Sequence, residues 1–328
     1  MRTFKLLLLC TLAACAPRAS SPAPVQGGAG TVIVANKQDN TVTLLSAADG
    51  RVTATLPVGV GPHEVAASHD GRWAVVTNYG DRTNVGSSLS LIDLRTRTVA
   101  RTLPLGEYRR PHGVAFLPGD RQLVVTSEAN QAVLLVDLSS GAVETAIPTG
   151  QRASHMVALS ADGRRAYTAN IAEGTVTEID VAGRKQGRVL RVAPMVEGIA
   201  LSPDGKQLWV GSNQAHTVSV VDTEKWEVAG TFAAPGMPYR IAFTPDGRRA
   251  VVTAPMAGVI RIIDVATRTE RAAVPGASAV GVTISADGRF AYVTLQDTNQ
   301  VAAVDLERGT LAGTYAVGAG PDGVAFAR

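Results

Sequence analysis

The chain has 328 residues, of which 45% are hydrophobic and 18% are charged, a balance that excludes a disordered protein and allows a large buried core. Its 2 cysteines exclude a disulfide scaffold and a four-cysteine zinc site, and its 33 glycines and 17 prolines indicate many tight turns. The formal net charge of +3 is mildly basic, which at first suggests a nucleic-acid partner.

Residues 1–14 have the features of an export signal. Arg2 and Lys5 precede an apolar run that is too short to span a bilayer. The run ends in Leu-Ala-Ala-Cys at 12–15, which resembles the bacterial lipobox, in which the cysteine is lipidated and becomes the new N-terminus. The alternative is an ordinary small-residue cleavage site beside an incidental cysteine. We predict a signal peptide over 1–14 and a lipid anchor on Cys15.

This leader changes how the composition is interpreted. Acyl chains on Cys15 would anchor the protein without a transmembrane helix, and the following Ala16 resembles the pattern sent to the outer membrane in a Gram-negative host. Residues 15–30 form a tether rich in Pro, Ser, Ala and Gly. Without Arg2 and Lys5 the mature chain has 29 basic and 28 acidic residues, a balance that disfavours a nucleic-acid partner. The leader itself favours an exported, periplasm-facing protein.

A repeat of about 42 residues begins at residue 31. Seven similar fragments lie at 31–36, 73–78, 122–127, 165–170, 207–212, 250–254 and 290–295. Each repeat has four apolar runs of strand length, which we name A to D in chain order; in the third repeat they lie at 112–117, 122–127, 132–137 and 143–148. This period is typical of a β-propeller with four strands per blade.

The two ends of the chain predict the number of blades. The sequence ends with an A strand at 323–328, and the repeats begin with a B strand at 31–36, followed by C at 41–46 and D at 52–57. The C-terminal strand therefore completes the N-terminal blade. We predict an all-β, seven-bladed propeller of four-stranded antiparallel blades over 31–328, with its ring closed by that strand.

The fragments AYVT, VVTN, PHGVAF and SPDG resemble those of the YVTN family of β-propellers, over about 31–328. The resemblance implies this architecture. It implies no single activity, because similar propellers include secreted binding proteins, surface-layer proteins and relatives of lactonases and cofactor-bearing propellers.

One face of the propeller has irregular loops. If the A strands run from top to bottom, the B–C and D–A loops lie at the top, including the inserted loop 79–87 and the unusual loop 105–111. A cationic rim is predicted there from Tyr108, Arg109, Arg110, Arg152 and Arg240. Paired Arg109 and Arg110 can hold a carboxylate or a phosphate, and the alternative is that both are simply solvated.

The position two residues before the first core Val or Ile of each A strand is predicted to face the mouth of the central channel. Around the ring it is occupied by Asp322, His63, His112, His155, Glu197, Tyr239 and Val280. Three neutral imidazoles from His63, His112 and His155 would suit a divalent metal such as zinc. The alternative is structural, because Pro-His-Gly resembles part of the family repeat, and each His would then bond to a neighbouring blade or to channel water.

Polar residues recur at two further positions. Asn36, Asn78, Ser127 and Asn170 end B strands at the top; Asn78 is a ligand-binding candidate, and the alternative is strand-end capping. The aspartates that end six C strands recur at one position, which predicts stabilisation of the bottom turns: Asp93, Asp137, Asp180, Asp222, Asp264 and Asp305.

Two functions remain open from the sequence. No phosphate-binding glycine loop, serine-nucleophile motif or haem-attachment motif is present in the sequence. The favoured function is a lipid-anchored, monomeric scaffold that binds a protein or small-molecule ligand through its top face and channel mouth. The alternative is a lactonase-like or metal-dependent hydrolase that uses His63, His112 and His155.

Overall fold

The computed structural model describes residues 29–328, which form 28 β-strands and two single 3₁₀ turns, Pro255–Ala257 and Gln296–Thr298. The predicted signal peptide over 1–14, Cys15 and nearly all of the tether lie outside the described residues. Within 29–328, neither helical turn has the length or apolarity needed to cross a membrane.

The strands are numbered in chain order and form seven four-stranded sheets. The first two blades contain β1 (Thr31–Asn36), β2 (Thr41–Ser46), β3 (Val52–Pro57), β4 (Pro62–Ala67), β5 (Trp73–Gly80), β6 (Val85–Asp93) and β7 (Thr98–Pro104). The next two contain β8 (Pro111–Phe116), β9 (Gln122–Ser127), β10 (Ala132–Asp137), β11 (Val143–Pro148), β12 (Ser154–Leu159), β13 (Arg165–Asn170), β14 (Thr175–Asp180) and β15 (Lys185–Arg191). The last three contain β16 (Val196–Leu201), β17 (Gln207–Ser212), β18 (Thr217–Asp222), β19 (Glu227–Ala233), β20 (Ile241–Phe243), β21 (Arg249–Ala254), β22 (Val259–Asp264), β23 (Thr269–Pro275), β24 (Ala279–Ile284), β25 (Phe290–Leu295), β26 (Gln300–Asp305) and β27 (Thr310–Ala316).

The final strand, β28 (Pro321–Ala327), pairs antiparallel with β1 and completes the first blade, with Ile33 opposite Ala325. The inner strands contact one another around a full circle in the order β4, β8, β12, β16, β20, β24, β28. The predicted seven-bladed ring and its closure by the C-terminal strand are therefore confirmed.

The core lies between the blades, because successive side chains of a strand point to opposite faces of its sheet. In β1, Ile33 packs in a cluster with Val76 of the second blade, whereas Val34 packs in a cluster with Tyr292 of the seventh. The repeated apolar fragments are buried on both faces for this reason, and they fix each blade against its two neighbours.

The two kinds of connection separate to opposite ends of the ring. At the top, the B–C and D–A loops bond to each other, as when the Lys37 amide donates to the Gly320 carbonyl. At the bottom, the predicted role of the six aspartates is confirmed, since each accepts a backbone N–H from its own turn.

A β-bulge lies near the start of six inner strands. In β4, Pro62 lies opposite Asn78 and Val65 lies opposite Val76, so two residues of the inner strand, His63 and Glu64, lie opposite the single residue Thr77. The same shift occurs in β8, β12, β16, β24 and β28. Because a bulge redirects side chains, residues that period-two alternation would place on opposite faces are both available to the channel.

A histidine and carboxylate cluster at the channel mouth

The predicted ring of side chains comes together at the channel mouth. His63, His112 and His155 are the second residues of their strands and are all buried. Their imidazoles lie in a row with tilted ring planes, and the ring centroids are 4.2 Å apart for His63 and His112 and 3.5 Å apart for His112 and His155. Glu197 and Asp322 are also buried at this level, and Val280 adds an apolar side chain.

The close approach of His112 and His155 depends on two residues in the third blade. A Cβ atom on Gly113 would lie only 2.8 Å from the His155 carbonyl oxygen, so a side chain there would push the two strands apart. Thr126 of β9 holds them together, because its hydroxyl accepts the Gly113 N–H at 2.8 Å and donates to the His155 carbonyl at 2.6 Å.

His155 lies between two carboxylates. Its Nδ1 contacts Glu128 Oε1, and its Nε2 lies 3.3 Å from Glu197 Oε1. Although burial opposes the charged form, the hydrogen bonds to Glu128 and Glu197 raise the pKa of His155. Burial also opposes ionisation of Glu197, but the bond to His155 and the charge of Arg240 lower its pKa to about 2.

Arg240 does not belong to the exposed rim as predicted. It is 5% exposed, and its Nη2 lies 2.6 Å from Glu64 Oε1 while its Nη1 lies 3.1 Å from Glu197 Oε1. Glu64 and Arg240 each follow a ring residue, and both side chains turn into the channel. The predicted exposure of Arg240 was wrong because the apolar pattern of the sequence does not show that the backbone turns this side chain inward.

His63 lies in a different charge environment. Lys37 Nζ lies 2.9 Å from His63 Nε2 and 3.3 Å from Asp322 Oδ2. Burial and the Lys37 charge lower the pKa of His63 to about 3, so its ring is neutral at neutral pH. Burial raises the pKa of Asp322, although Lys37 acts in the opposite direction.

His112 occupies the centre of the row and is 0% exposed. Neither of its ring nitrogens has a hydrogen-bond partner among residues 29–328. Burial, followed by the neighbouring His155 and His63, lowers the pKa of His112 well below its usual value, so its ring is neutral.

The potential metal ligands form two overlapping groups. His63, Glu64 and His112 form one group, and His112, Glu128 and His155 form the other, each with its donor atoms within 4.8 Å of one another. The predicted set of His63, His112 and His155 is not gathered as a single group in the described chain. The physical reason is the row of rings, which places His63 and His155 on either side of His112.

Several residues of the cluster were missed in the sequence. They lie one residue beyond a repeated B fragment: Lys37, Tyr79, Glu128 and Asn213. The Tyr79 hydroxyl donates to Glu128 Oε2, and the Asn213 amide donates to Glu197 Oε2. The sequence contains a signal for these residues, because each is the first residue after a B fragment and this position recurs around the ring.

Tyr239 is half-buried at the sixth ring position, and the guanidinium of Arg240 lies 4.3 Å from its ring centroid. Burial raises the pKa of the Tyr239 hydroxyl far above its usual range, so this phenol remains protonated. Tyr239 therefore contributes an aromatic surface to the channel.

A cleft of about 730 Å³ opens on the top face beside this cluster, lined by Lys37, Tyr79, Asp81, Arg82 and Arg110 among others. The Arg110 guanidinium lies 4.8 Å from the Tyr79 ring centroid, and its Nη2 donates to the Asp81 carbonyl at 2.8 Å. The predicted irregular loop 79–87 is mostly strand, since β5 extends to Gly80 and β6 begins at Val85. Residues 79–82 of this extended hairpin form one wall of the cleft.

The remaining predicted rim residues do not line this cleft. Arg109 is exposed and its guanidinium folds back onto the Gly106 carbonyl, so the predicted arginine pair is separated. Arg152 pairs with Glu173 at 2.7 Å, and Tyr108 packs against the core between the second and third blades.

Asn78 lies inside its blade. Its amide nitrogen donates to Ser88 Oγ at 2.9 Å and Ser90 Oγ at 3.1 Å, and Asn36 and Asn170 make equivalent bonds to threonines of their C strands. These bonds favour the strand-end interpretation of Asn78 over ligand binding.

Comparison with known proteins agrees with this architecture. A family model described as YNCE-like beta-propeller matches residues 121–285. A solved structure from Kuenenia stuttgartiensis hydrazine synthase is similar with a TM-score of 0.76 and 20% sequence identity, over 90% of this chain and 99% of that one. At that identity the similarity shows the fold alone. No curated protein sequence matches this chain.

Proposed function

The chain belongs to the YNCE-like β-propeller family, and on this scaffold we propose an extracytoplasmic binding protein that takes an anionic ligand group in the cleft of its top face. The observation that carries the proposal is the charge of that cleft. Lys37, Arg82 and Arg110 line it, against the single carboxylate of Asp81. Fixed cations around a concave surface attract and hold anions.

The location of the protein is part of the same proposal. The export signal over 1–14, the lipobox-like cysteine Cys15 and the tether over 15–30 support a membrane-anchored protein of the outer membrane and periplasm. A propeller carried on such a tether would present its faces to soluble ligands or to other envelope proteins as a monomer.

Arg110 is the best-positioned cation for this role. Its guanidinium is held against the Tyr79 ring and the Asp81 carbonyl, so little side-chain entropy is lost when a ligand binds. A carboxylate or phosphate could then accept charge-assisted hydrogen bonds from it, each contributing about 1.5–3 kcal/mol. The shared chemistry is an anionic group, carried by a small molecule or by a partner protein.

Binding of citrate and inorganic phosphate by calorimetry at low ionic strength tests this assignment. We expect Arg110→Gln to weaken binding by at least about tenfold, because it removes a charge-assisted contact. Arg109→Gln is the matched control, since Arg109 is the neighbouring arginine outside the cleft. The same pair of variants in a pull-down from an envelope extract would distinguish a partner protein from a small molecule.

The proposal would be contradicted if both arginine variants bound citrate and phosphate as the unmodified chain does. The proposal would also fail if Arg109→Gln had the larger effect, because Arg109 lies outside the cleft. Circular dichroism of both variants establishes that the fold is intact in each comparison.

The second candidate is the lactonase-like or metal-dependent hydrolase. It is favoured by one observation, the unpartnered nitrogens of His112 next to two other histidines. Groups of this kind can hold an ion that polarises a carbonyl, or can act as acid and base. Hydrolysis of a lactone that disappears in His112→Phe would support this candidate over simple binding.

A further inference from the structure

The buried nitrogens of His112 call for a partner that the described chain does not supply. A neutral imidazole has one donor and one acceptor nitrogen, and leaving both unpaired in the interior is unfavourable. His112 is 0% exposed, and both of its nitrogens lack a hydrogen bond within 29–328. An unpaired ring nitrogen beside other donor atoms is the arrangement that a metal ion satisfies.

We infer that His112, Glu128 and His155 form a binding site for one Zn²⁺ ion or a similar divalent transition-metal ion. One donor atom from each of the three lies within 4.8 Å of the other two. Two imidazoles and a carboxylate are a common donor set for zinc, and three protein ligands leave the fourth tetrahedral position open. The inference goes beyond the proposed function, since it does not require an anion in the cleft.

Surrounding residues orient these ligands in the way that metal sites require. A histidine ligand usually donates its second ring N–H to a carboxylate, and His155 has Glu197 Oε1 at 3.3 Å from Nε2 while Nδ1 faces Glu128. The Tyr79 hydroxyl fixes Glu128 through Oε2, which leaves Oε1 directed toward His155. Glu197 and Tyr79, the residues that would orient the ligands His155 and Glu128, are therefore already in place.

The alternative group of His63, Glu64 and His112 is a poorer site for a dication. Lys37 Nζ lies 2.9 Å from His63 Nε2, and Arg240 Nη2 lies 2.6 Å from Glu64 Oε1. Two fixed positive charges thus already occupy the donor atoms of this group and would repel a metal ion. In the His112, Glu128 and His155 group, Arg240 contacts only the outer carboxylate, Glu197.

Zinc titration of the full chain, purified without a histidine tag and treated with chelator, tests this inference. We expect one equivalent of Zn²⁺ to bind, and Co²⁺ in its place to show the visible absorption bands of a tetrahedral ion. His112→Phe keeps an aromatic ring between His63 and His155, and Glu128→Gln keeps the bond from Tyr79. Each should still raise the zinc dissociation constant by at least about tenfold, since each removes a ligand.

Two histidine variants serve as matched controls. His63→Phe removes the other group but none of the proposed ligands, and His69→Gln removes an exposed His–Asp pair on the bottom face that could bind zinc adventitiously. Both should bind zinc within about threefold of the unmodified chain, a difference below the loss expected on removing a ligand.

Binding of less than about 0.1 equivalent, or equal affinity in Glu128→Gln and the unmodified chain, would overturn the inference. So would a loss of binding in His63→Phe alone, because the ion would then occupy the other group. Citrate binding measured on the same zinc-free samples separates the two conclusions, since it can depend on Arg110 whether or not zinc binds.

Discussion

At the scale of single residues, the least replaceable side chain of the cluster is Arg240. It is buried between Glu64 and Glu197, whose side chains are 10% and 9% exposed. A buried ion pair gains little overall, because desolvation offsets most of the attraction between its charges. Removing one member is different, since it leaves the other charges buried without compensation.

We expect Arg240→Met to lower the free energy of unfolding by about 3–5 kcal/mol, because two carboxylates lose their shared cation. Methionine keeps most of the side-chain length and flexibility, so the loss reflects charge more than volume. Urea unfolding followed by tryptophan fluorescence gives the measurement.

The control for this substitution is Arg152→Met. Arg152 also bonds to a glutamate, Glu173, but its side chain is 72% exposed. An exposed pair of this kind contributes about 0–1 kcal/mol, so a small change is expected. Equal losses in the two variants would show that burial of the Arg240 network has no energetic consequence.

At the scale of elements, a threonine at one position of four B strands bonds to the inner segment of its own blade, and in three of these blades it also bonds to the next blade. Each of them accepts the N–H of the residue that follows the ring position of its blade: Thr77 from Glu64, Thr126 from Gly113, Thr253 from Arg240 and Thr294 from Gly281. Three of these hydroxyls also donate to a carbonyl of the following inner strand: Thr126 to His155, Thr253 to Val280 and Thr294 to Asp322. The threonine of the repeated fragment therefore joins neighbouring blades.

Thr126→Val tests this connection with a change of almost equal shape. The substitution leaves the Gly113 N–H and the His155 carbonyl without this partner in the interior. We expect the free energy of unfolding to fall by about 1–3 kcal/mol for each group left unsatisfied. Thr310→Val on the exposed outer strand β27 is the control and should change it by less than about 0.5 kcal/mol. A loss no larger than that of the control would argue against the bridging role.

The same elements show what the sequence could and could not predict. The B fragments were located almost to the residue, because their apolar runs recur at a fixed period. The ring residues were found by counting back from the core of each A strand. The sequence does not predict the inward direction of Glu64, since the bulge in β4 adds one residue without leaving a mark in the apolar pattern. It does not predict that of Arg240 either, since this residue lies in the irregular segment before β20. The separation of Arg109 from Arg110 depends on loop contacts that no period describes.

At the scale of the whole molecule, the closure of the ring is the feature on which the other blades depend. β28 supplies the inner strand of the first blade and also contacts β4 and β24, the inner strands of the blades on either side. Without it, β1 would present an unpaired edge, and the inter-blade clusters that contain Val324 and Ala325 would be exposed. The strand types at the two ends of the sequence predict this closure.

Two chains that share the same break test how far stability depends on closure. The first ends at Gly320 and lacks β28. The second is a circular permutant that begins at Pro321 and joins Arg328 through Ala29 and Gly30 to Thr31, which is feasible because Thr31 lies opposite Ala327. We expect the truncated chain to lose its cooperative thermal transition and to associate, whereas the permutant keeps a melting temperature within about 5 °C of the unmodified 29–328 chain. Circular dichroism and size-exclusion chromatography measure both properties.

A truncated chain that melted cooperatively as a monomer would show that six complete blades are sufficient for folding. A permutant that failed to fold would show that the covalent break, and not the missing strand, causes the loss of stability.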